Sequence, residues 1–78
     1  MVDEAEELSG QYANYFQVGF NAFEFVIDFG QFYDEQEKAR FHTRIIANPI
    51  YAKELLNTLE QSLKAFERSY REIGSEER

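Results

Sequence analysis

The chain has no cysteine, one proline, one histidine and four glycines in 78 residues. Without cysteine, no disulfide can staple the fold and no thiolate can hold a metal. With a single histidine, His42, a metal centre would have to be built from carboxylates and backbone. The one dense acidic stretch, "YDEQE" from Tyr33 to Glu37, lacks the glycine that a calcium loop needs at its turn. Gly10, Gly19, Gly30 and Gly74 are dispersed, so no phosphate-cradling loop is encoded. Ser9, Ser62, Ser69 and Ser75 fall in the tails or on a helix, outside any strand–turn–helix elbow that would expose a nucleophile. The sequence therefore points to no catalytic residue, no cofactor site and no metal site, and the expectation is that the protein is not an enzyme.

Positive charge is also scarce. Eight Lys and Arg face fifteen Asp and Glu, a formal net charge of −7. Such a surface repels phosphate backbones and anionic membranes, so neither nucleic acid nor membrane is expected as a partner. Tyr12, Tyr15, Phe16 and Phe20 could stack bases on a sheet, but the basic rim that such sites use is missing. No apolar run approaches the roughly 18 residues of a transmembrane helix. The opening "MVDEAEELSG" is too acidic for a signal peptide, which makes the cytoplasm the expected location.

What the chain has in excess is rings. Aromatics make up 17 % of it, with eight Phe and five Tyr. A domain this small buries little of its own surface and usually needs a staple, and oligomerisation is the one left. Residues 1–10 read as an acidic, mobile arm, and 11–78 as a single α+β domain. The aromatic and β-branched run from Tyr12 to Phe20 reads as a strand, with Asn14, Phe16, Val18 and Phe20 on one face and Tyr15, Gln17 and Gly19 on the other. Asn21 and Ala22 suit a short turn. A second strand from Phe23 to Phe32 puts Phe23, Phe25, Ile27 and Phe29 on one face and Glu24, Val26 and Asp28 on the other. Phe32 is out of phase, so either a bulge at Gly30 restores it or the strand stops there. In the third strand, "FHTRIIA", Phe41, Thr43 and Ile45 alternate against His42, Arg44 and Ile46.

The strongest signal follows. Asn48 is a good N-cap, Pro49 suits the first helical position and Gly74 suits the end. Between them Ala52, Leu56, Leu59, Leu63, Phe66, Tyr70 and Ile73 recur at alternating spacings of four and three, a heptad seam. The expected fold is thus a small antiparallel three-stranded sheet followed by one long C-terminal helix. A sheet of roughly 20–25 Å leaves the far half of a helix of roughly 37 Å uncovered. The predicted interface is accordingly Leu56, Leu59, Leu63, Phe66, Tyr70 and Ile73 on the helix, with Tyr15 and Val26 on the second face of the sheet.

The run Asn14 to Val18, the run Glu24 to Phe29 and the run Arg44 to Pro49 with Ala52 after it resemble a family of short bacterial and archaeal proteins, domain of unknown function three-four-six-seven. The resemblance covers about Tyr12 to Phe66. It implies the strand–strand–strand–helix order and names no substrate, cofactor or catalytic residue.

One constellation has chemical potential: Glu24, Asp28, Arg40, His42 and Arg44 on the face away from the rings. It reads either as an acid–histidine pair for proton transfer or as cross-strand charge pairing that fixes register, and pairing is the simpler account. Glu24 and Asp28 lie about 13 Å apart along a strand, too far for a glycosidase pair. The functional expectation is a non-catalytic, homo-oligomeric interaction module, a dimer in the favoured form, which binds itself, with another protein as the second class of partner. The alternative is a small acidic chaperone-like holdase for unfolded or partner polypeptide. A small-molecule-binding protein or enzyme is a distant third.

Overall fold

The computed structural model describes residues 7–74. Most of the expected acidic arm therefore lies outside the described residues. Three strands, β1 (Tyr15–Phe20), β2 (Phe25–Tyr33) and β3 (Lys38–Ala47), form one antiparallel sheet in the order β1-β2-β3. One helix, α1 (Pro49–Ser69), follows directly. The fold is α+β, as the sequence predicts.

Asn21 builds the first turn. Its side-chain oxygen accepts from the backbone N–H groups of Phe23 at 2.7 Å and Glu24 at 3.0 Å, and its own N–H donates to the Glu24 carbonyl. Asparagine does this readily because its amide can stand in for a backbone carbonyl. The turn takes in Phe23, which sequence alternation places on the second strand. It lies instead before β2 and is 82 % exposed. A single turn of 3-10 helix (Asp34–Gln36) connects β2 to β3, and Glu37 closes it in the left-handed conformation at φ 47°.

The irregularity in the sheet lies on β3. Phe29 pairs with Thr43 and Gly30 with Phe41, so His42 is an extra residue without a partner across the ladder. This β-bulge shifts the alternation of everything before it. Phe41 therefore leaves the face of Thr43 and Ile45, where alternation had put it, and joins that of Arg44. Phe32 is not restored to the Phe25 face, because β2 runs on regularly to Tyr33. Gly30 opposes the bulge at close quarters: a Cβ there would lie 2.4 Å from the Arg40 carbonyl oxygen and 2.9 Å from the Phe41 Cα.

One face of the sheet carries Phe16, Val18, Phe20, Phe25, Ile27 and Phe29, in the cross-strand pairs Phe16–Phe29, Val18–Ile27 and Phe20–Phe25. Phe16 meets Phe29 edge-on at 5.8 Å, and Phe20 leans on Phe25 at 5.5 Å. The helix begins above this face. Asn48 caps it by accepting from the Ile50 N–H at 2.7 Å, and Pro49 takes the first position. Its opening turns line an open apolar depression with the sheet, formed by Ala52, Leu55, Leu56 and Leu59 against Val18, Phe25 and Ile27. Phe29 lies farther along, beneath the segment that leads into β1, near Ala13 and Thr43.

The helix is shorter than its sequence suggests. It stops at Ser69, where the Tyr70 N–H bonds back to the Phe66 carbonyl, and spans about 32 Å. Tyr70 and Ile73 consequently lie beyond it and do not extend its seam. The sheet is longer than expected, since the ten residues of β3 reach about 33 Å. The uncovered helix thus follows from where the helix starts and where it points, not from a short sheet.

Candidate interaction surface

The arrangement has an unusual consequence for packing. Among the described residues no hydrophobic side chain is buried, and the one buried polar or charged residue is Asp28, 7 % exposed. The chain exposes 7520 Å². A compact monomer of 9.2 kDa would expose about 4,900 Å², leaving a surplus of about 2,600 Å². The radius of gyration, 15.1 Å, likewise exceeds the roughly 11–12 Å of a compact chain of this length.

The exposed apolar surface is continuous along the helix. Leu56, Leu59 and Leu63, all predicted for the interface, stand open to solvent, and Leu55 joins them. Phe66 is half-buried because its neighbours fold back on it: the Tyr70 ring lies 5.1 Å away and the Arg71 guanidinium sits 5.8 Å over its face. Ile73 donates its N–H to a Glu67 carboxylate oxygen at 3.3 Å, so the chain turns back after the helix.

The second face of the sheet holds Tyr15 and Val26, as predicted, but the company of Tyr15 is different. The bulge brings Phe41 to 5.5 Å from the Tyr15 ring, and Phe32 lies 6.2 Å from it. Sequence alternation missed this three-ring cluster, and the out-of-phase Phe32 was the signal that could have found it. Val26 pairs with Gly19 on one side and Ile46 on the other.

Of the five residues that could have formed a proton-transfer site, Asp28, His42 and Arg44 line one open depression, and two of them bond to each other. Asp28 and Arg44 are direct partners across β2 and β3. Arg44 donates from Nε to one carboxylate oxygen at 2.7 Å and from a terminal nitrogen to the other at 2.9 Å. Hydrogen bonding to Arg44 holds the Asp28 carboxyl below the ordinary carboxylate range, against the opposite push of desolvation, and Asp28 raises Arg44 in return. A carboxylate held ionised by a two-point guanidinium fork is a poor proton acceptor.

Arg40 is carried to the other face by the bulge, opposite Gln31. Glu24 belongs to the turn before β2. His42 sits at the bulge itself, and both its nitrogens are engaged: Nε2 is 3.0 Å from the Tyr12 carbonyl and Nδ1 is 2.6 Å from the Thr43 hydroxyl. A carbonyl only accepts, so Nε2 donates to Tyr12, while Nδ1 shares its hydrogen bond with the Thr43 hydroxyl. The histidine thus fastens the entry to β1 across the sheet. No group of three or more His, Cys, Asp or Glu residues is brought together among the described residues, and no helix there is long and apolar enough to cross a membrane.

A family described as a protein of unknown function, DUF3467, matches residues 2–75. The chain belongs to this family. No curated protein and no solved structure matches it. The DUF3467 match spans all three strands and the helix, so the seam and both faces of the sheet fall within it.

Proposed function

We propose that this DUF3467 chain is a non-catalytic protein-interaction module whose folded unit is a homo-oligomer, a dimer in its simplest form. One observation carries the proposal: no hydrophobic side chain among the described residues is buried within the single chain. Burial of apolar surface is the main force available to fold a chain without disulfides. Two strand faces and a helix that bury nothing fully leave that force to be supplied by association. The surplus of about 2,600 Å² per chain, about 5,200 Å² for a pair, stands at the upper end of what obligate dimers bury, roughly 2,000–5,000 Å² or more in total. The Asp28–Arg44 fork fits a role in holding register rather than in proton transfer.

Sedimentation or light scattering at micromolar concentration tests the proposal, and a mass of at least two chains is expected. The variant Leu63→Asp sharpens it. Leu63 is 45 % exposed in the single chain, where a surface substitution costs about 0.5 kcal/mol or less. Buried between copies, the same charge costs several kcal/mol and splits the assembly. A wild-type monomer that folds cooperatively, with Leu63→Asp equally stable, would overturn the proposal.

A second reading is favoured by the hairpin end, where Phe20 and Phe23 project into solvent. In it the protein is a holdase that shields apolar stretches of unfolded polypeptide. Suppressed aggregation of a heat-denatured client, lost in Phe20→Ser with Phe23→Ser, would support it.

A further inference from the structure

We infer that β1 is the edge through which two copies join: β1 of one chain pairs antiparallel with β1 of a second copy, about Val18, and the two sheets become one of six strands. The inference rests on the self-association proposed above and specifies its geometry.

A three-stranded sheet has two edges, and here they differ in chemistry. β3 is defended in the ways natural edges are: it carries Lys38, Arg40, His42 and Arg44, and the bulge at His42 interrupts it. β1, with the sequence YFQVGF, has no charged residue, no proline and no bulge, and every residue in it is exposed. An undefended, aromatic edge is a template for another strand. Among the described residues nothing covers it. The segment that enters β1 runs away from this edge, since Asn14 bonds the Gly30 carbonyl and the Phe32 N–H, and the Tyr12 carbonyl reaches His42 on the far side of the sheet.

The occupant is a second copy for reasons of charge, symmetry and area. Two chains of net charge −7 repel one another, and β1 is where they can meet without desolvating an ion. The nearest acid on the adjacent strand, Asp28, is already neutralised by Arg44. A two-fold axis normal to the sheet keeps like faces together, because residues directly opposite in an antiparallel pair point to the same side. With Val18 on that axis, Phe16 opposes Phe20 of the partner subunit and Gln17 opposes Gly19 of the partner subunit. The Phe16, Val18 and Phe20 rows of the two chains then form one apolar floor, with the uncovered leucine stripes of both helices on the same side. Strand pairing alone buries little; floor and stripes together supply the surplus area that each chain leaves open.

Amide exchange on the unaltered protein tests the pairing directly. In a free edge strand alternate amides face solvent and exchange quickly, whereas in an interior strand both sets are protected. All the amides of Tyr15–Phe20 should be slowed by about tenfold or more relative to an open strand. Cysteine placement gives an independent reading in a chain that has none of its own. Val18→Cys should be joined into a covalent dimer by a short bis-maleimide, since cross-strand Cβ atoms approach about 4.5–5.5 Å, close for a cross-linker and wide for an unstrained disulfide. Arg40→Cys on the opposite edge should not. A particle of two or more chains in which alternate β1 amides exchange freely and Val18→Cys is not cross-linked overturns the β1 pairing and leaves self-association standing. Cross-linking through Arg40→Cys in place of Val18→Cys transfers the joint to β3 and also overturns it. A monomeric mass overturns both this inference and the proposed function.

Discussion

Arg44 holds both oxygens of Asp28 from the neighbouring strand, at 2.7 and 2.9 Å, and the carboxylate it holds is the one buried polar or charged side chain among the described residues. The pair ties β2 to β3 two residues from the bulge, where the ladder is weakest. It therefore acts as a register pin between strands whose alternation changes phase nearby.

The pin makes stability depend on pH in one direction. The Asp28 carboxyl is lower in the folded chain than in the unfolded one, so the folded state resists taking up a proton. The contribution is complete above the ordinary aspartate value, about 4, and is lost as pH falls through the lower folded value. Thermal melts from pH 7 to pH 2 should steepen below about pH 4. Asp28→Asn should lower the melting point at neutral pH and remove part of that acid dependence. An unchanged acid limb in Asp28→Asn would mean that other carboxylates carry it.

Two glycines in the sheet should respond oppositely to one methyl group. At Gly30 the added Cβ meets backbone atoms that cannot turn aside, so Gly30→Ala should cost roughly 1–3 kcal/mol or more. At Gly19 nothing lies within 4 Å. Gly19→Ala should therefore be neutral, or stabilise by about 0.4–1 kcal/mol through the unfolded state. Denaturant melts of the two variants compare them, and equal losses would refute the placement of the bulge.

The helix start depends on one side chain. Asn48→Ala removes the acceptor for the Ile50 N–H and should cost about 1 kcal/mol, with Asn48→Asp close to wild type. Chemical denaturation followed by far-ultraviolet circular dichroism measures both, and a loss as large in Asn48→Asp would show that the amide donor, not the acceptor, matters.

Without a core of its own, the chain should melt at a temperature that rises with its concentration. Melting points taken over a hundredfold dilution series would reveal it. A constant melting point would mean that the folded unit is the single chain.

How much of this was legible in the sequence differs by region. The order of elements, the Asn48 cap and the pairing face of Phe25, Ile27 and Phe29 follow from alternation and capping chemistry, which are local. The bulge is not local. Position 42 is set by the fit between β2 and β3, and a single extra residue moved Phe41 and Arg40 across the sheet, which took Arg40 out of the polar constellation. The helix end is hidden for a related reason. Spacing continues through Tyr70 and Ile73, but spacing records which residues are apolar, not where backbone bonding stops. The Phe32, Tyr15 and Phe41 cluster needed both the pairing register and the bulge, and periodicity alone supplies neither.

The unpaired residue at position 42 gives β3 something that β1 and β2 lack: one residue of slack. Removing His42 would straighten the strand while leaving Phe29 opposite Thr43 and Gly30 opposite Phe41, so every remaining rung survives. What would be lost is the tether to Tyr12. A one-residue deletion within β1, or in β2 between Phe25 and Phe29, has no such reserve and would turn the faces of everything beyond it. The sheet is therefore built to forgive a shortening at one place, and that place is where its third strand fastens Tyr12 ahead of β1.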